Sequence, residues 1–103
     1  MFTNVIAHQG IGAFVSRVRR QFEDNTLDLR GVRVEDAEAG IDAFLDRMLG
    51  AGEPAGFVLH GHGTGALKLA VRAHLAASSY VEHSRAADPD AGGDAFTVFW
   101  IKD

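Results

Sequence analysis

The period of the apolar positions changes along this chain, and each change marks an element. Ile11, Phe14, Val15, Val18 and Phe22 recur at helical spacing and predict a helix from about Gly10 to Phe22. Arg17, Arg19 and Arg20 lie mostly off that stripe, as a phosphate-contacting face or an ordinary solvated one. Thr26-Leu27-Asp28-Leu29 alternates and predicts a short strand closed by Gly31. Val34, Ala37, Ile41, Phe44, Leu45 and Met48 return to helical spacing, with Glu35, Asp36 and Glu38 at the end where the helix dipole favours acids. Gly50, Gly52 and Pro54 end that helix. Gly56 to His60 is apolar almost throughout and reads as an inner strand. A second helix, about Gly65 to Ala77, turns Leu67, Ala70, Val71 and Leu75 inward. Val81 to Ala86 is a strand with a mixed, partly exposed face, and Asp88 to Asp94 is a loop by composition. Phe96 to Ile101 is a strand apolar on both faces, so it belongs in the middle of a sheet or under cover on both sides.

The order is β-α-β-α-β-β, preceded by an N-terminal amphipathic helix. Strands separated by a helix should be parallel through a right-handed crossover, and the last pair antiparallel. The predicted fold class is α/β, a two-layer sandwich with a mixed four-stranded sheet. Residues 1–25 form a helical extension and residues 26–103 the α/β domain. The N-terminal stripe is too apolar to face water. It is expected to pack on the sheet face left open by the other helices, or on a second copy in a homodimer.

Composition narrows the function classes. The chain has no cysteine, which excludes disulfides, thiolate zinc sites and cysteine nucleophiles and fits a reducing cytoplasm. No uncharged apolar run is long enough to span a bilayer, and no basic segment precedes the N-terminal apolar residues. The net charge of −4 argues against indiscriminate coating of nucleic acid. Yet Lys68, Arg72 and Arg85 outnumber the single acid Glu82 between residues 54 and 86, so that segment is locally basic.

That segment contains His60-Gly61-His62-Gly63-Thr64-Gly65, between a predicted strand and a predicted helix. Three glycines in six residues permit positive φ and close approach of a ligand to the backbone. Thr64 is placed to cap the following helix. The helix N-terminus offers unpaired N–H groups and the positive end of a dipole, so the loop suits a phosphate. Lys68 and Arg72 follow on the same helix. If the first two strands are parallel neighbours, Arg30 and His60 leave the sheet at the same edge with Asp28 just behind. Asp28 is then a candidate to orient His60, or to hold a divalent cation. His60 is a candidate general base or acid. Each residue also has a structural reading: Asp28 as a turn residue paired with Arg30, and His60 bonded to a backbone carbonyl at a strand end. A histidine metal site lacks a third ligand, because His74 and His83 lie on other elements.

Leu27-Asp28-Leu29-Arg30-Gly31, a helix, His60 to Lys68, and Ala87-Asp88 with Gly92-Gly93 before a final strand together resemble the Smr (small MutS-related) domain. The resemblance covers about residues 26–103, with both motifs in order. It implies a compact fold similar to the C-terminal domain of bacterial translation initiation factor three. It also implies binding to DNA or RNA, nicking endonuclease activity in several members, and a place within larger MutS-like proteins linked to DNA repair and recombination control. Magnesium or manganese is the cation expected if Asp28 holds one. The resemblance carries over Asp28 and Arg30 from the first motif and His60, Gly61, Gly63, Thr64, Gly65 and Lys68 from the second. Together with the chemistry above, Asp28 and His60 are the candidate catalytic pair, and Arg30, Gly61, His62, Gly63, Thr64, Gly65, Lys68 and Arg72 the candidate phosphate-binding residues.

The chain departs from the family twice. Arg30 stands where many stand-alone members have histidine, and an arginine stays protonated and cannot serve as a base. His62 stands where lysine is common. Two readings follow: a nicking endonuclease, or a non-catalytic module for DNA junctions or ribosomal RNA.

Overall fold

The structure, a computed structural model, describes residues 25–103. The helix expected from Gly10 to Phe22, and any dimer formed through it, lie outside the described residues. Four strands, β1 (Thr26–Asp28), β2 (Ala55–Leu59), β3 (Val81–Ala86) and β4 (Phe96–Ile101), alternate with two helices, α1 (Val34–Ala51) and α2 (Ala66–Ala77). The strand order across the sheet is β1-β2-β4-β3. β1 runs parallel to β2, and β4 lies antiparallel to both β2 and β3. This is the mixed four-stranded sheet expected, with the doubly apolar last strand in an inner position.

Both helices cover one face of the sheet. Ile41, Phe44, Leu45 and Met48 of α1 and Val71 and Leu75 of α2 pack with Leu29, Val58, Val81, Phe99 and Ile101. Phe99 is fully buried and meets Phe44 edge to face, centroids 6.0 Å apart. The other face carries a smaller cluster of Ala55, Phe57, Ala87 and Val98. There Phe57 meets Phe96 edge to face, and Trp100 lies against His83 and the guanidinium of Arg85.

The stop expected across Gly50, Gly52 and Pro54 falls at Gly52, and the segment before β4 is more regular than expected. α1 runs through Gly50 and stops at Gly52, which takes φ 70°. The Gly52 N–H donates to Leu49 and the Glu53 N–H to Met48, the paired bonds of a Schellman stop. The segment before β4 is also not featureless, since Pro89–Ala91 and Gly93–Ala95 each form a single 3-10 turn. Among the described residues no helix is long and apolar enough to cross a membrane.

Because Phe99 fills the space between β4 and α1, Phe99→Ala should cost about 3–5 kcal/mol. In a domain this small the melting temperature should then fall by well over ~10 °C. A thermal melt followed by circular dichroism checks this, and a shift of only a few degrees would mean that the core is not organised around this ring.

Candidate nucleic-acid interface

Beyond Leu59 the chain leaves the sheet, and the N–H groups of His60 and Gly61 both donate to the carbonyl of Ala95, at 3.1 and 3.0 Å. This anchors the start of the glycine loop to the turn before β4. Gly61, Gly63 and Gly65 then take φ of 78°, 43° and 90°, while no other residue type has positive φ among the described residues. Left-handed glycines thus alternate with His62 and Thr64. Such alternation turns successive N–H groups toward a common concavity that suits an anion. Among the described residues the N–H groups of His62, Gly63 and Thr64 make no backbone hydrogen bond, and all three residues are exposed. Gly65 closes the turn by donating to the His62 carbonyl at 3.1 Å. Thr64 acts one position earlier than expected: Gly65 is the residue that caps α2, and the Thr64 hydroxyl accepts from the Ala66 N–H at 3.3 Å.

On one flank, Arg30 and Asp28 form a bidentate pair. The Asp28 carboxylate accepts from Arg30 Nε at 3.0 Å, from Nη2 at 2.8 Å and from the Arg30 backbone N–H at 3.0 Å. The Arg30 stem passes over the loop, since a Cβ on Gly61 would lie 3.6 Å from Arg30 Cγ. The hydrogen bonds from Arg30 hold the Asp28 carboxyl at about 2, well below the usual carboxylate range.

On the other flank, Lys68 and Arg72 of α2 converge on Asp94. Lys68 Nζ bonds one carboxylate oxygen and Arg72 Nη2 the other, the latter at 3.0 Å. These bonds lower the Asp94 carboxyl to about 2. Arg72 also donates through Nε to the Thr97 hydroxyl at 2.9 Å.

His60 is buried, 6% exposed. Its Nδ1 lies 2.9 Å from the Gly61 carbonyl oxygen and its Nε2 lies 2.8 Å from Thr97 Oγ1. Burial lowers its pKa first and foremost; the Gly61 bond opposes this, Arg72 and Lys68 add to it, and Asp94 opposes it. The structure does not bring Asp28 to His60. Thr97 pairs with Val58 and shares the helix-covered face, where it holds His60, whereas Asp28 pairs with Leu59 and points with Thr26 and Phe57 to the other face. Both structural alternatives read from the sequence are present: Asp28 paired with Arg30, and His60 bonded to a carbonyl at the strand end.

Sequence reasoning missed Asp94, Ala95 and Thr97. Their one signal was position, directly after the Gly92-Gly93 pair. The donors also do not fit a protein-held divalent cation. Both Asp28 oxygens are taken by Arg30, Asp94 is taken by Lys68 and Arg72, and among the described residues no group of three histidines or carboxylates could hold a metal.

The family model of the Smr domain matches residues 27–102. "Endonuclease MutS2" of Anaeromyxobacter sp. is 53% identical over 79 residues, covering 77% of this chain and 10% of that protein. "Endonuclease MutS2" of Levilactobacillus brevis is 42% identical over 77 residues, covering 75% of this chain and 10% of the relative. The chain therefore spans about a tenth of the length of these curated relatives. Among solved structures, the Smr domain of Thermus thermophilus MutS2 superposes with a TM-score of 0.74 at 35% identity, over 77% of this chain and 99% of that one. YdaL, a stand-alone small MutS-related protein from Escherichia coli, shares the fold with a TM-score of 0.71 at 18% identity, over 84% of this chain and 75% of that one.

The lowered Asp94 pKa fixes the sign of a pH effect. A carboxyl depressed on folding stabilises the protein above its unfolded value of about 3.9, and that contribution is lost as pH falls through about 2. Asp94→Asn should therefore melt slightly below wild type near about pH 7, and the gap should close between about pH 4 and about pH 2. A gap that persists unchanged to the acid limit would show that the Asp94 charge is not what ties α2 to the turn before β4.

Proposed function

The chain belongs to the Smr domain family, and on that premise we propose that it binds nucleic acid through the His60–Gly65 loop and nicks the bound strand, DNA or RNA. In this reading it serves as the Smr part of a larger MutS-like protein concerned with DNA repair and recombination control. One observation carries the binding half: left-handed Gly61, Gly63 and Gly65 leave the N–H groups of His62, Gly63 and Thr64 without backbone partners among the described residues. Arg30 stands on one side of that concavity and Lys68 and Arg72 on the other. The name carried by the relatives, Endonuclease MutS2, supports the cutting half.

Cleavage of a phosphodiester requires that the phosphate be held, the nucleophile deprotonated, and the charge on the phosphorane and leaving oxygen stabilised. The loop N–H groups, Arg30 and Lys68 supply the first and the last. Asp28 contributes through Arg30: it fixes the guanidinium, whose stem passes over Gly61, so that the remaining N–H groups are aimed rather than searching. An RNA strand brings its own 2′-hydroxyl as nucleophile and asks less of this site than DNA hydrolysis.

A specific observation favours a second reading, a module that holds DNA junctions or ribosomal RNA without cutting. Both ring nitrogens of His60 are engaged, and Asp28 is held ionised with a pKa of about 2, a weak base.

Incubation with supercoiled plasmid and with a structured RNA, with and without magnesium or manganese, separates these readings. Wild type should nick. Arg30→Ala should slow cutting by about 100-fold, the cost of one transition-state donor, and Asp28→Ala should follow it with the fold intact. Lys68→Ala should weaken binding evenly across sequences and reduce the salt dependence by about one ion. Wild type that binds and never cuts leaves the binding module; wild type that does neither rejects both.

A further inference from the structure

The His60 contacts form a directed chain of hydrogen bonds. A carbonyl oxygen can only accept, so the 2.9 Å contact to Gly61 places a proton on Nδ1. Arg72 Nε can only donate, and it fills one lone pair of the Thr97 hydroxyl oxygen. The hydroxyl proton is then free to point at His60 Nε2, 2.8 Å away. Burial and the nearby positive charges of Arg72 and Lys68 favour the neutral ring; the Gly61 bond and Asp94 act the other way. The direction therefore runs from Arg72 to Thr97, from Thr97 to His60, and from His60 to the Gly61 carbonyl.

The last link sets the backbone. In a trans peptide the C=O and the following N–H point in opposite directions. No cis peptide occurs among the described residues. With the Gly61 oxygen drawn to the buried imidazole, the His62 N–H must point away from it, and it is the first of the three N–H groups that line the loop.

We infer that His60 and Thr97 are positioning residues: Thr97, oriented by Arg72, holds His60 as the Nδ1–H tautomer, and that imidazole turns the Gly61–His62 peptide so that its N–H faces the bound phosphate. This rests on the phosphate-binding reading of the same loop and changes what His60 does there. His60 acts through the backbone, and Thr97 takes part without touching the ligand.

The chemistry supplies the variants. The amide nitrogen of asparagine matches Nδ1 in position and can donate to Gly61, but it cannot serve as a base. Glutamine places its amide where Nε2 lies and leaves Gly61 unbonded. Thr97→Ser keeps the hydroxyl; Thr97→Val keeps the shape and removes it.

The test uses the full chain, with affinity for a short RNA hairpin measured by fluorescence anisotropy, cutting of the same RNA, and the His60 tautomer read from imidazole nitrogen NMR shifts. Melting temperatures are measured in parallel, so that affinities are compared among folded variants. Wild type should show Nδ1–H. His60→Asn should stay within about three-fold of wild type in both affinity and cutting. His60→Ala and His60→Gln should lose about ten-fold or more in affinity, the worth of one hydrogen bond to a charged group. Thr97→Ser should behave as wild type, and Thr97→Val should move the Nε2 shift, with Nδ1 still protonated, and weaken binding.

A general base would give a different split, with His60→Asn binding normally and failing to cut. That result, an Nε2–H tautomer in wild type, or His60→Asn as weak as His60→Ala would each overturn the assignment. If wild type binds no nucleic acid, the phosphate-binding reading falls and this assignment with it. A wild type that binds while His60→Asn fails removes only the assignment.

Discussion

The interface depends on β4 entering the sheet between β2 and β3. It is the last strand in the sequence, yet it pairs with two strands that are separated in the chain by α2. Its register places Thr97 opposite Val58, and its leading turn places Ala95 against the first two residues of the glycine loop. Three of the groups that shape the loop, Asp94, Ala95 and Thr97, arrive only when this strand docks. The burial of Phe99 against α1 and of Val98 on the opposite face drives that docking. Core packing and site geometry are thus set together by β4 and the turn that leads into it.

The electrostatics of the loop are local and balanced. Arg30 is matched by Asp28, and Lys68 and Arg72 by Asp94. The paired carboxylates keep the cations aimed while no ligand is bound, and they reduce the net attraction that a nucleic acid feels at long range. In the proposed function, recognition then falls to short-range hydrogen bonding by backbone N–H groups and the unused donors of Arg30 and Lys68. That suits a chain of net charge −4, on which a local phosphate site fits better than broad electrostatic wrapping.

Much of this was legible in the sequence because it rests on periodicity and on glycine. The switch from helical to alternating spacing located the strands and helices, and the doubly apolar Phe96–Ile101 run pointed to an inner strand. The Gly61-Gly63-Gly65 spacing announced a loop that needs positive φ. What was not legible depends on register. Asp28 and His60 do leave one edge of the sheet, but Asp28 pairs with Leu59, one residue out of phase with His60, so the side chains diverge to opposite faces. A shift of one residue would have joined them, and no single-strand pattern distinguishes the two cases. The capture of Lys68 and Arg72 by Asp94, 26 and 22 residues further along the chain, was hidden for the same reason.

In the proposed function the loop backbone, aligned by its alternating glycines, is what meets a phosphate. An amide NMR titration of the chain with a short RNA hairpin at constant ionic strength tests it most directly. The His62, Gly63 and Thr64 amides should shift first and furthest, with Arg30 Nε and the first turn of α2 following. Shifts centred on β3 and the Trp100 face, with the residue 62–64 amides unmoved at saturation, would contradict it.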